Sequence, residues 1–244
     1  TGTNSQKFYF ANSAAPYSPA TYRGDWDASA SIVDMLLHTT PSGDAATKGV
    51  AETSSTNNWD VMLGRWVSAA LTQDMEFSKA GTTDTATIII GAKESAIGSN
   101  AYLHYHIYVT TGDSDTVSGT LATDQMHGSE LTTTARGWSL AINLSNVIAR
   151  VGDRIVIEVG TQGRNTVTTS YTNTINYGNT GTTDLTNTST NVTNEPGNVV
   201  ITYTGYKWEQ EGFRFRNDDG SETTATWKED QDVLNTYLAC SSGV

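Results

Sequence analysis

The sequence predicts an all-β protein, an antiparallel β-sandwich of jelly-roll type with a C-terminal β-hairpin extension. Three observations lead there. Eight or nine short runs alternate apolar and polar residues, or are solidly β-branched, and each is bounded by Gly, Asn, Asp or Thr. The polar balance is carried by Thr, Ser, Asn and Gly: of 244 residues only 16% are charged and 36% hydrophobic, with 22 Gly and 4 Pro. Helices would draw instead on Leu, Lys and Glu. Finally, a chain of this length is long enough for one large sandwich plus a small appendage, and the turn signals are spaced accordingly.

In chain order, Thr1 to Ser5 reads as a loose arm and Lys7 to Ala11 as a short aromatic strand. Residues 12–27 carry Pro16, Tyr17, Pro19, Tyr22 and Trp26, an irregular crossing pinned by rings. Ser29 to Leu37 suits either a helical turn or two capped by Ser29 or Ser31, or a strand. Residues 38–56 read as a polar connection. Strands follow at Asn58 to Ser68, Met75 to Lys79, Thr85 to Gly91, Leu103 to Val109, Gly137 to Leu144, Arg154 to Gly160, Thr169 to Gly178 and Asn198 to Tyr203. Val151-Gly152-Asp153-Arg154 is a turn, and the Thr/Asn-rich Asn179 to Asn198 reads as a long surface loop. Tyr206 to Glu211 is a polar joint, so the expected division is residues 1–205 for the sandwich and 206–244 for the extension.

That extension holds the clearest local signal. Phe213 and Phe215 alternate with Arg214 and Arg216, Asp219-Gly220 turns the chain, and Thr223, Thr224, Thr226 and Trp227 favour a returning strand. A lone two-stranded ribbon is marginally stable in water and needs a surface to lie on. Phe213, Arg214, Phe215, Arg216 and Trp227 are therefore the expected assembly contact.

The net charge of −12 excludes a nucleic-acid footprint. Cys240 is the single cysteine, which excludes an internal disulfide and a cysteine-rich zinc site. No apolar run is long enough to span a bilayer as a helix, and Thr1 to Lys7 lacks the charged-then-apolar pattern of a secretory leader.

Candidate chemistry is sparse. His104-x-His106 puts two imidazoles on one strand face, the spacing that cupin-like metal sites use. No carboxylate follows at the near downstream position of such sites, and His127 would have to be brought in by the fold, so a solvated or packed strand face is the expectation, with no metal. Calcium has two candidate loops, Gly112-Asp113-Ser114-Asp115-Thr116 and Asp218-Asp219-Gly220-Ser221-Glu222; neither matches an EF-hand, and Asp-rich turns form for backbone reasons. No nucleophile elbow, phosphate loop or His-Glu-x-x-His helix is present. Asp25, Asp27, Glu52, Asp60, Glu94 and Glu158 offer carboxylates that a glycosidase could pair, but the sequence does not pair them. Asn143, Asn187 and Asn191 sit in N-x-Ser/Thr sequons. Trp26, Trp59, Trp66, Trp138, Trp208 and Trp227 can either pack inside or form a sugar-binding platform.

Two blocks carry a resemblance. PYSPATYRGDWD (16–27), AETSSTNNWDVMLGRWVS (51–68), LHYHIYVTTGDSDTVSGTL (103–121), VGDRIVIEVG (151–160) and YGNTGTTDLT (177–186) resemble uncharacterised β-sandwich proteins of tailed phages and environmental phage-like contigs. EQEGFRFRNDDGSETTATWKEDQD (209–232) resembles a module of large surface or virion β-proteins, there followed by another sandwich. The resemblance implies a non-enzymatic virion structural protein, a capsid-decorating or tail/fibre component. Its partners would be other copies of itself and other virion structural proteins, with no nucleic acid and no membrane. The alternative is a carbohydrate- or receptor-binding module of a cell-surface or extracellular protein, with glycans as partners. A polysaccharide-degrading enzyme is the third reading.

Overall fold

A computed structural model describes residues 3–17, 24, 26–30, 34–43, 46–51, 58–165 and 169–205. The C-terminal hairpin, its five contact residues Phe213, Arg214, Phe215, Arg216 and Trp227, and the second calcium loop lie outside the described residues, as do Asp25 and Glu52.

The described residues form fourteen strands: β1 (Thr3–Ala14), β2 (Ala28–Ser29), β3 (Met35–His38), β4 (Ala46–Ala51), β5 (Trp59–Ser68), β6 (Met75–Phe77), β7 (Thr85–Lys93), β8 (Ala101–Thr110), β9 (Val117–Met126), β10 (Arg136–Asn143), β11 (Val147–Ala149), β12 (Arg154–Gly163), β13 (Thr172–Tyr177) and β14 (Asn198–Gly205). They join in the order β4-β13-β7-β14-β1-β3-β5-β12-β8-β9, with β10 on β7, β6 on β14, β11 on β6 and β2 on β5. Every pairing is antiparallel except β2 and β3 on β5.

The sheet doubles over on itself. Trp66 of β5 meets Phe10 and Tyr177 edge-on, with centroids 4.9 Å away in both cases. Tyr177 belongs to β13, which the order separates from β5 by β7, β14, β1 and β3. Strands that far apart touch only if the sheet folds back across a shared core, which is the packing of a sandwich. β1 makes the crossing: Thr3 to Tyr9 pair with β14, and Tyr9, Phe10 and Ala14 pair with β3. The core that results takes in Phe8, Phe10, Leu63, Trp66, Phe77, Ile88, Ile90, Tyr105, Trp138, Ile157 and Ile201, among others. Burial there pushes the Tyr177 hydroxyl up to about 12 and that of Tyr105 higher still, because a phenolate has no water to solvate it.

The all-β, antiparallel class read from the sequence is borne out; jelly-roll connectivity remains an expectation. Several elements need correction. At the end of the Ser29 to Leu37 stretch, Met35 to Leu37 take the strand alternative, as part of β3. The polar connection at residues 38–56 contains a strand, β4, whose Ala-Thr-Lys-Gly composition carries little β signal. β9 and β11 were also unread. The Thr/Asn-rich stretch at residues 179–197 is irregular but not simply a surface loop. Leu185 and Val192 are buried, and residues 186–189 bond to Gly137 of β10 through Gly137 N to Ser189 O (2.7 Å) and Thr188 N to Gly137 O (2.8 Å).

Candidate functional site

The alternation predicted for β8 is observed. Leu103, Tyr105, Ile107 and Val109 all enter the core. Yet His104, His106 and Tyr108 on the opposite face are buried too, at 4%, 2% and 1% exposure. This face is packed rather than solvated: its packing is polar around the two histidines, while Tyr108 joins a small apolar cluster with Val67 and Val156.

Register explains which residues share it. Directly paired residues of antiparallel strands point to the same side. Glu158 of β12 stands opposite His106 and Arg65, Gly160 opposite His104, and Gln162 opposite Asp60. His104 Nδ1 lies 2.8 Å from Asp60 Oδ1, and Gln162 Nε2 donates to both Asp60 oxygens at 3.2 and 3.1 Å. A carboxylate only accepts, so Nδ1 is the donor in this pair, and in the neutral ring Nε2 then carries the lone pair. Glu158, fully buried, accepts from Gly24 N (3.1 Å), Trp26 Nε1 (2.8 Å) and Tyr108 Oη (3.0 Å). Arg65 is tied to buried Asp34 through Nε and Oδ1.

The cover is Trp26. Its indole lies 5.2 Å from the His104 ring and 5.1 Å from the His106 ring, centroid to centroid. Two glycines make room for it. A Cβ on Gly160 would fall 2.5 Å from the indole and 2.2 Å from Val61 O, and a Cβ on Gly24 would fall 2.4 Å from His106 Nε2.

Asp124 completes the group. Tyr105 pairs with Gln125 and Ile107 with Ala122, so Thr123 and Asp124 together oppose His106 alone. This β-bulge holds Asp124 at φ 48°, in the left-handed region, and re-aims its side chain across the two rings. Asp124 Oδ1 lies 3.6 Å from His104 Nε2 and 3.7 Å from His106 Nε2. Both Nε2 atoms are buried without a hydrogen-bond partner. Burial, with His104 alongside, lowers the His106 pKa below the usual histidine range, which keeps that ring neutral at pH 7. The ligand atoms of His104, His106 and Asp124 all lie within 4.8 Å of one another, a donor set able to hold a metal ion.

Other sequence candidates fall elsewhere. His127 turns to Ser129 and Trp138. In the first calcium loop, Asp113 is bonded to Arg154 at 2.7 Å. Asp60 and Glu158 do meet on one face, but each is engaged in holding the histidine site. Glu94 lies apart, its Oε2 accepting from Ala101 N at 3.2 Å. Trp66 and Trp138 are core residues and Trp26 and Trp59 half-buried, so none of the four described tryptophans forms an exposed platform. Asp124 was missed because its only sequence signal is a plain Thr-Asp-Gln in a weak strand, and its relation to the histidines depends on the bulge.

No family model matches the chain, and no curated protein matches it. Among solved structures it is similar to a CocE/NonD family hydrolase from Staphylococcus aureus, at 8% identity and TM-score 0.46 over 83% of this chain and 37% of that one. It is also similar to an aminopeptidase from a marine sediment Thaumarchaeota archaeon, at 9% identity and TM-score 0.42 over 82% and 37%. A third is an infectious bursal disease virus structure, at 10% identity and TM-score 0.26 over 68% and 35%. The chain thus spans little more than a third of those proteins. The expectation that it is not an enzyme is withdrawn, since hydrolases stand among its structural neighbours. At these TM-scores the likeness assigns no reaction, substrate or partner.

Proposed function

We propose that this chain is a structural subunit of a virion, a capsid-decorating or tail/fibre component that adheres to copies of itself and to other virion proteins. The observation that carries this reading is a difference between the two ends of the strand order. At the β9 end, pairing with β8 shifts register three times, and irregularity of that kind blunts an edge against a neighbouring chain. At the β4 end, pairing with β13 runs unshifted from Thr172↔Ala51 to Tyr177↔Ala46. Among the described residues no strand pairs with the outer side of β4. A regular open edge is a template for strand addition.

The phage-like resemblance supports the setting, and the charge of −12 favours solubility of free subunits. In this reading Phe213, Phe215 and Trp227 supply apolar anchors, and Arg214 and Arg216 pair with carboxylates or backbone oxygens of a partner. The test is light scattering and electron microscopy of the full chain beside Gly49→Pro, Val50→Pro and the pair Phe213→Ala/Phe215→Ala. Successive residues of a strand direct their N–H groups to opposite edges, so one of the two prolines spares the β13 ladder. Wild type should form regular assemblies, and the folded proline variant and the double alanine variant should not. A wild-type chain that stays monomeric at all concentrations, or variants that all assemble normally, would overturn the reading.

A further inference from the structure

We propose that His104, His106 and Asp124 bind a divalent transition-metal ion of the zinc class. The donors suit it: two imidazole nitrogens and one carboxylate oxygen are the mixture such ions take, with bonds of about 2.0–2.1 Å. Donor atoms around a tetrahedral ion of that size stand about 3.4 Å apart. The two Nε2-to-Oδ1 separations are 3.6 and 3.7 Å and the whole donor set lies within 4.8 Å, so the side chains close on the ion by rotating toward one another.

Two further observations are independent of the donor list. The Nε2 atoms of His104 and His106 are both buried and unpartnered, on side chains 5% and 3% exposed. A buried polar atom without a partner has lost its hydration and gained nothing in return, and here two such atoms stand side by side. One cation satisfies both. The backbone also leaves regular β geometry to deliver the carboxylate, through the bulge and the left-handed conformation at Asp124, and deviations of this kind concentrate where a side chain must be aimed.

The surroundings complete a metal site of ordinary design. Asp60 on His104 Nδ1 orients the ring with Nε2 toward the other donors, as carboxylates behind metal-bound histidines do. His106 Nδ1 accepts a long 3.4 Å bond from Asp124 N; metal on Nε2 requires the proton on Nδ1, so this one bond is given up. Glu158 is not a ligand, its oxygens being held by Gly24, Trp26 and Tyr108; it fastens the cover. The Asp124 side chain is 77% exposed, so the ion has protein on one side and solvent on the other, where water fills its remaining positions. Bound there, it ties the bulged edge strand β9 to β8.

The experiment uses the full chain, stripped with chelator, titrated with zinc by calorimetry and with cobalt by visible spectroscopy. One zinc per chain is expected, with cobalt bands of low coordination number and a higher melting temperature for the loaded protein. Asp60→Asn should weaken binding by about 10–100-fold. His106→Gln and Asp124→Asn should weaken it more, and Asp113→Asn, in another loop, not at all. Asp124 is exposed, so its variant keeps the fold even if His106→Gln does not. Absence of zinc uptake by wild type, or equal affinity in Asp124→Asn, overturns the proposal. The measurement is made on the individual chain, so its failure leaves the adhesive reading untouched.

Discussion

The two faces of β8 are equally buried and chemically opposite. Leu103, Tyr105, Ile107 and Val109 lie in the core among Trp66, Phe10 and their neighbours. On the opposite face His104 and His106 lie under Trp26 beside Asp60 and Asp124, and Tyr108 donates to Glu158 while packing with Val67 and Val156. Core packing depends on volume and shape, and its contribution scales with apolar area removed from water. The polar face depends on each donor having its acceptor, because an unpaired buried group loses its hydration and gains nothing. Depth alone therefore says little about what a buried side chain is for. The core specifies the fold, and the polar face, which gains less from burial, holds the one arrangement on β8 able to take a ligand.

The largest test of this contrast is Trp66→Ala. Its indole is fully buried between Phe10 and Tyr177 and donates to Ala11 O at 3.2 Å, and removal should lower stability by about 4 kcal/mol, read from urea unfolding. On the polar face, Arg65→Met removes the guanidinium that faces the buried Asp34 carboxylate and should lower it by roughly 3 kcal/mol. Here the faces should diverge: Arg65→Met combined with Asp34→Leu should regain most of the loss, as a core deletion with no partner charge cannot.

Gly160→Ala should come next. Its Cβ collides with Val61 O and the Trp26 ring, for about 2 kcal/mol of overpacking and a shift in tryptophan emission as the cover lifts. Glu94→Gln probes a single buried carboxylate. Its pKa is raised, chiefly by burial, and its Oε1 has no hydrogen-bond partner among the described residues. The folded chain therefore holds this proton more tightly than the unfolded chain. The ionised form is a burden at neutral pH, relieved as pH falls through the raised value toward the ordinary one near ~4.3. Glu94→Gln should melt higher than wild type at pH 7, with the gap closing across that window. Smallest of all, Asp124→Asn should change metal-free stability by less than about 0.5 kcal/mol while removing stabilisation by zinc.

How far the sequence reaches is visible in particular strands. Ile-rich β7 and alternating β8 and β12 were legible because they match a period of 2 and carry residues that pack on a pleated surface. β4 and β9 were not: Ala-Thr-Lys-Gly-Val-Ala has little side-chain preference for a strand, and Asp124 and Thr123 on β9 are exposed. Leu185 and Val192 were hidden in a Thr/Asn-rich stretch whose order comes from bonds to β10 rather than from any period of its own.

The candidate site divides in the same way. Taken alone, the sequence determines that the protein is all-β, that it is acidic, and that His104 and His106 share a strand face, since each follows from composition or from local periodicity. Only the tertiary structure decides that this face is buried, that Asp60 stands behind one ring, and that Asp124 spans both. Asp60 lies 44 residues from His104, and Asp124 18 residues from His106. Contacts at such separations are set by strand order, register and one bulge, which depend on how distant segments pack and leave no local trace in the chain.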